Sequence, residues 1–310
     1  MLFKYLKKDL STILLVFILL FFIFIIGFNL FYEYDNKKNK KEGFHGEEKK
    51  IAFCFLIYDS INHEELWKKF FEKSTKSKYN IYIHYKENLP LKYFEENKLD
   101  HCIETAWGHK SLVQASNLLF KKAFDDTANY KFVLLSNSCI PLKSFDNVYD
   151  FLTKDNMGYV NESGYSDYYK DFDIYKRNPE LFAKTSQWVI LNREIVEKIG
   201  LVDDDVIEQN FNMYGPDEIY YYTWMKHHNL DDQVVKFNNL SSGATTFTYW
   251  SDMPEYPFPK SSASPYAYDK ISTEEIDYLL AQPCLFGRKF NKNCVVDGSI
   301  KLDEYVADKL

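Results

Sequence analysis

The run Ile51-Ala-Phe-Cys-Phe-Leu-Ile-Tyr58 constrains the fold more than any other stretch of the chain. It has strand length and carries no charge. A strand that is apolar on both faces must be covered on both, as in a parallel sheet clad with helices. Lys131-Phe-Val-Leu-Leu135 has the same character. Between the two, the pattern switches period. A helix opens at Asn62 or His63 and runs to about Ser74, with Leu66, Trp67, Phe70 and Phe71 on one face. Tyr79–Tyr85 alternates as a second strand, and Asp100–Ile103 reads as a short third. Ser111–Phe124 is an amphipathic helix with Leu112, Ala115, Leu119 and Ala123 along one stripe. A further helix follows from Phe145 to Leu152. Strand and helix in alternation predict βαβ units and an α/β fold.

The second half is less regular. Asn161–Pro179 is rich in Tyr and Asp and is predicted to be a long active-site loop. Strands are expected at Gln187–Asn192, Gln233–Phe237 and Thr245–Trp250, with a short helix from Arg193 to Ile199 and another from Thr273 to Leu280. Met213–Met225 reads as a loop that becomes a helix, with Pro216 at its first position. Asp217 and Glu218 then fall in the first turn. Acids there complement the helix macrodipole, and this structural reading stands beside a catalytic one.

At the other end, no charge lies between Asp9 and Glu33, and Ile13–Phe28 is apolar apart from Gly27. A bilayer-spanning helix needs about 20 such residues. No small-x-small cleavage site follows, so residues 11–32 are predicted to be an uncleaved signal anchor in a lipid bilayer, after a short cytosolic tail at 1–10. Lysines flank the span on both sides, and charge does not choose an orientation. Asn161-Glu-Ser163 and Asn239-Leu-Ser241 match the glycosylation pattern of a lumenal domain. Residues 33–50 are charged and lack apolar anchors, as expected of a flexible stem. The folded domain is expected to occupy 51–310.

A net charge of −7 offers no basic excess for nucleic acid. Five scattered cysteines form no C-x-x-C pair, which argues against a zinc site; Cys284 and Cys294 are spaced to close a short loop. No phosphate-binding glycine loop or dinucleotide fingerprint is present.

In open parallel sheets, ligands bind beyond the carboxyl ends of the strands. Nucleotide-sugar transferases of this layout often place Asp-x-Asp after the central strand to hold a divalent metal. Ser136-Asn137-Ser138 stands there instead, and Asp203–Asp205 is better placed to cap a helix. Without a metal, a departing diphosphate needs protein cations. Arg288 and Lys289 are candidates, with Lys270 as a third, beside the reading of all three as surface charge.

Five blocks, in order, resemble the core-2/I-branching β-1,6-N-acetylglucosaminyltransferase family, which includes protein xylosyltransferases and related plant enzymes. They are Ala106-Trp-Gly-His109 with Ser111-Leu-Val113, Phe132-Val-Leu-Leu-Ser-Asn-Ser-Cys-Ile-Pro-Leu142, Ser186-Gln-Trp-Val-Ile-Leu-Asn-Arg193, Pro216-Asp-Glu218 and Leu285-Phe-Gly-Arg-Lys-Phe290. The resemblance implies a GT-A-like fold, with a mixed, mainly parallel sheet flanked by helices and an N-terminal transmembrane helix. It implies type II topology in the Golgi or ER membrane with a lumenal catalytic domain. It also implies inverting transfer without a metal from a UDP-sugar to a glycan or glycoprotein hydroxyl. The family's base falls on Glu218, with Asp217 left to cap, and its diphosphate-binding Lys on Lys289, with Arg288 or Lys270 as second cation. Tyr58 and Trp107 are expected near the nucleotide, and Gln187, Trp188 and Trp250 around the sugar. One departure is His84-Tyr85-Lys86, where the animal enzymes end the second strand with His-Val-Asp. The sugar is expected to be N-acetylglucosamine, with xylosyl or glucuronosyl transfer, or a catalytically inactive glycan-binding protein, as alternatives.

Overall fold

The computed structural model describes residues 48–163, 167–237, 245–250, 253, 255–260 and 265–310, together with Gly27. The tail, nearly all of the anchor and stem, and Asn239 lie outside the described residues. Among the described residues no helix is long and apolar enough to cross a membrane. Lys49–Leu310 forms one compact unit.

Its strands are β1 (Lys50–Ile57), β2 (Tyr79–Tyr85), β3 (Asn129–Ser136), β4 (Ile140–Pro141), β5 (Gly158–Asn161), β6 (Ile190–Asn192), β7 (Val234–Phe237), β8 (Thr246–Thr248), β9 (Tyr268–Ile271), β10 (Phe286–Arg288), β11 (Phe290–Val296) and β12 (Ile300–Lys301). The helices used below are α1 (Glu64–Glu72), α2 (Ser111–Phe124), α3 (Phe145–Thr153), α4 (Asp173–Arg177), α5 (Asp204–Asn210), α6 (Tyr220–His227), α7 (Thr273–Ala281) and α8 (Leu302–Ala307).

The main sheet has the order β2-β1-β3-β6-β5-β7. β1 pairs in parallel with β2 and β3, as the alternation predicts, and β5 pairs in parallel with β7. β6 runs antiparallel to both neighbours, so the sheet is mixed. β1 shows why both faces had to be apolar. Ala52, Cys54 and Leu56 join the core on one side, while Ile51, Phe53, Phe55 and Ile57 join the core on the other. On the second face Phe53 and Phe55 meet Trp67 of α1 edge-on, with ring centroids 6.4 and 5.0 Å away. On the first face α2 packs with α6, and Tyr221 donates a hydrogen bond to Asn117 Oδ1 at 3.1 Å.

Two smaller three-stranded sheets, β4-β10-β8 and β12-β11-β9, enclose a third core with α7 and α8. β4 leaves the main sheet directly after β3. It then pairs antiparallel with β10, Gly287 opposite Ile140. This short pairing brings the end of the domain back to the carboxyl edge of the main sheet.

Four expectations need correction. Asp100–Ile103 is not a strand; only a single bridge, Lys98 to Ile83, forms near it. The stretch Asn161–Pro179 is not a plain loop: it holds a 3-10 turn at Asp167–Asp171 and α4, which bury Tyr169 and Ile174 in the core. Cys284 and Cys294 are both free, as are the other three cysteines. Asn161 is engaged in a fold contact: its Oδ1 accepts from Thr245 N at 3.1 Å and its Nδ2 donates to Thr246 O at 3.3 Å.

Candidate active site

A cleft of about 1230 Å³ opens at the carboxyl ends of β1 and β3. Tyr58, Trp107, Gln187, Trp188, Glu218, Trp250, Arg288 and Lys289 all line it. Lys270 does not. It is exposed on β9, where its register partner is Val295 of β11.

Glu218 is presented by a turn that its sequence explains. Gly215 has φ +69°, the left-handed region open to glycine. Pro216 follows, and Pro216–Glu218 closes one 3-10 turn in which Glu218 N donates to Gly215 O at 3.2 Å. α6 starts only at Tyr220. The two acids therefore precede the α-helix instead of filling its first turn, and neither caps it by a side-chain hydrogen bond. Their surroundings differ. Glu218 Oε2 lies 2.9 Å from Lys184 Nζ, both groups partly open to the cleft. Asp217 is buried, and its Oδ1 has no hydrogen-bond partner among the described residues. Burial, followed by the neighbouring Glu218, pushes the Asp217 carboxyl up to about 7.

Lys184 had no signal in the sequence, because Ala183-Lys-Thr185 carries neither strand nor helix periodicity. The structure fixes it through its neighbours. Thr185 N donates to Glu218 O at 2.8 Å, and Ala183 N donates to Thr223 Oγ1 at 3.0 Å. The cation and the carboxylate thus sit on two backbones bonded to each other.

The cations come from the pairing of β10 with β4. Phe290 N donates to Ser138 O at 3.0 Å, and Asn62 Nδ2 donates to Phe290 O at 2.8 Å. Arg288 and Lys289 are thereby held against the Ser136–Ser138 loop, where a metal-binding layout would carry Asp-x-Asp. Arg288 lies over the Trp188 ring, its guanidinium carbon 4.5 Å from the centroid. That face of Trp188 is occupied by a cation, so the indole supports Arg288 instead of offering this face to a sugar. Burial pushes Arg288 down to about 10, still charged at neutral pH, and its Nε has no partner among the described residues. Burial, then the adjacent Arg288, hold Lys289 below its ordinary value. Two cations crowded at the carboxyl edge of a sheet suit a polyanionic group.

Tyr58 is half exposed just after β1, donates to Glu87 Oε1 at 2.5 Å and lies 5.3 Å from Lys86 Nζ. His84 is wholly buried, accepts from Ile103 N at 3.0 Å and is driven down to about 4 by burial. Trp250 is partly exposed beyond β8. Trp107 stands at the mouth of the cleft, tied to the turn that carries Glu218: Gly215 N donates to Gly108 O at 2.9 Å. Among the described residues, no three His, Cys, Asp or Glu side chains converge as a metal-binding group.

Residues 51–279 match the family model described as Core-2/I-Branching enzyme. Glycosyltransferase BC10 of Oryza sativa subsp. japonica is 22% identical over 229 residues, covering 60% of this chain and 55% of that protein. The matched region thus spans about half the length of that relative. Among solved structures, a glycosyltransferase involved in the glycosylation of the major capsid of PBCV-1 aligns over 84% of this chain and 100% of its own, at 11% identity and a TM-score of 0.38. The glycosyltransferase GlyE of Streptococcus pneumoniae TIGR4 aligns over 61% of this chain and 45% of its own, at 14% identity and a TM-score of 0.34.

Proposed function

The chain belongs to the Core-2/I-Branching enzyme family, and from that membership we propose that it is a glycosyltransferase with a GT-A-like domain. It moves a sugar, N-acetylglucosamine in the first instance, from a UDP-sugar to a hydroxyl of a glycan or glycoprotein. The reaction inverts the anomeric centre and needs no metal. The reading includes a single-pass type II topology, with residues 11–32 in a Golgi or ER membrane and the domain in the lumen.

The observation that carries the proposal is the convergence of Glu218 with Arg288 and Lys289 on one cleft. Glu218 takes the proton of the acceptor hydroxyl as that oxygen attacks the anomeric carbon on the face opposite the nucleotide. A positioned general base contributes about 10²–10⁴ in rate. The Lys184 ammonium on Oε2 orients the carboxylate and leaves Oε1 to receive the proton. Arg288 and Lys289 meet the diphosphate, whose charge grows as the glycosidic bond breaks. Cations fixed beforehand lower that barrier because they need no reorganisation during the step. Tyr58 and Lys86 border the nucleotide, and Gln187 and Trp250 the transferred sugar.

Glu218→Gln keeps the shape and removes the base. It should abolish transfer and leave UDP affinity within about twofold of the native protein. Transfer at the native rate in this variant rules the mechanism out.

A further inference from the structure

Trp107 is 81% exposed, and Tyr214, beside it, is 52% exposed. Their rings meet at 75° with centroids 5.4 Å apart. An indole left in water is usually a mobile one, but the loop that carries this one is held from several sides. His109 N donates to Ala106 O at 3.1 Å, closing the turn that carries Trp107. Ala106 N donates to Ser111 Oγ at 3.0 Å. Lys110 Nζ reaches Glu208 at 2.6 Å and Asn212 Oδ1 at 3.2 Å, pinning the next residue of the loop to α5 and to the segment after it. Gly108 has φ +69°, and a Cβ there would stand 2.7 Å from the Tyr214 ring, so the close approach of the two loops requires glycine. The aromatic pair is built into the fold and still faces solvent.

Its position relative to the base is equally fixed. Gly215 N bonds Gly108 O, Gly215 O receives Glu218 N, and Tyr214 is the residue before Gly215. Trp107 lines the mouth of the cleft, while Tyr214 lies outside that lining. Of the two exposed rings, one therefore borders the cleft that Glu218 lines and the other lies beyond it. The loop that carries Trp107 is otherwise polar: His109 bonds Ser111, and Lys110 pairs with Glu208 and Asn212. An apolar ring face in polar surroundings suits a pyranose, which offers a C–H face and a rim of hydroxyls, better than it suits a lipid.

We propose that Trp107 and Tyr214 form an acceptor subsite that binds an oligosaccharide of two or more sugars, with the reacting sugar at Glu218 and the next on the Trp107 ring. This rests on the reading of Glu218 as the base, and it moves Trp107 from the nucleotide, where the sequence placed it, to the acceptor. The acceptor is therefore an extended glycan.

The test uses the full chain in detergent on an array of immobilised oligosaccharides graded from one to six sugars, with UDP affinity measured separately on the same preparations. The native protein should be retained more strongly on two or more sugars than on one. Trp107→Ala and Tyr214→Ala should each weaken that retention roughly threefold to tenfold, the range of an aromatic contact. Trp107→Phe should restore most of it, and UDP affinity should not move. Loss of UDP affinity in Trp107→Ala would return the residue to the donor side and overturn the subsite. Unchanged oligosaccharide retention, or a native protein indifferent to chain length, would overturn it too. Failure of the native protein to bind UDP contradicts the donor assignment alone, since retention on the array is read without it.

Discussion

Asp217 and Glu218 are adjacent in the chain and opposite in circumstance. One is buried with an oxygen that has no partner among the described residues, and the other holds a lysine at 2.9 Å. The lysine should matter through geometry. A hydrogen bond to a charged group contributes about 1.5–3 kcal/mol, so its loss corresponds to roughly tenfold to a hundredfold. Lys184→Ala is expected to lower kcat by that order while the Kd for UDP stays put, and Lys184→Arg should recover part of it. A fall in UDP affinity as large as the fall in kcat would make Lys184 a diphosphate ligand instead. Asp217 bears on stability. Folded, it keeps its proton up to about pH 7, while an unfolded Asp releases it near 3.8. The folded state therefore gains as pH falls below 7, and this contribution is lost as pH rises through 7. His84 works in reverse. It stays neutral in the fold down to about 4 but protonates near 6.5 when unfolded, so stability falls as pH drops from 6.5 toward 4. The two trends oppose each other in the native protein. Asp217→Asn should raise Tm at pH 8 and expose a steeper loss between pH 6.5 and 4, read by thermal melts across that range. Identical curves would mean that Asp217 ionises normally.

At the scale of elements, what was legible in the sequence followed burial. β1, β3, α1 and α2 were readable because apolar residues repeat at the period of the element they form. The 3-10 turn at Pro216–Glu218 was mistaken for a helix start, because Pro followed by acids suits both. Asp100–Ile103 was mistaken for a strand because a short apolar pair does not reveal whether a ladder partner exists. Lys184 was not legible at all, since its role depends on a hydrogen bond between backbones remote in sequence. Another such contact holds the last helix. His63, buried at the start of α1, meets Asp303 of α8 through Nδ1, and its Nε2 has no partner among the described residues. Asp303→Ala leaves both ring nitrogens buried without a side-chain partner, at a cost of about 1–3 kcal/mol. Urea unfolding should show that loss, and Asp303→Asn a smaller one. Equal midpoints for Asp303→Ala and the native protein would assign the docking of α8 to its apolar side alone.

For the whole molecule, alternation of strand and helix was enough to predict an α/β layout, and the direction of β6, a strand expected within Gln187–Asn192, was the part it did not give. An antiparallel strand inserted between β3 and β5 has no local signature, because its direction depends on the path of the chain between them. The site lies at the carboxyl edge of the main sheet, where such folds bind ligands, and the paired cations there lead to a further expectation. Transfer should continue in excess EDTA, and UDP at 100 times its Kd should stabilise the protein by about 2.7 kcal/mol without added metal. Abolition of both by chelation would place a metal in the cleft.

The antiparallel pairing of β4 with β10 has a consequence for how the protein matures. The carboxylate at Glu218 is translated well before Arg288 and Lys289, and those cations reach the cleft only when β10 closes against the strand that follows β3. A growing chain therefore owns its base before it can grip a nucleotide. On the proposed mechanism, competence to bind donor is conferred when β10 joins its sheet, and a growing chain that lacks β10 is silent toward sugar nucleotides.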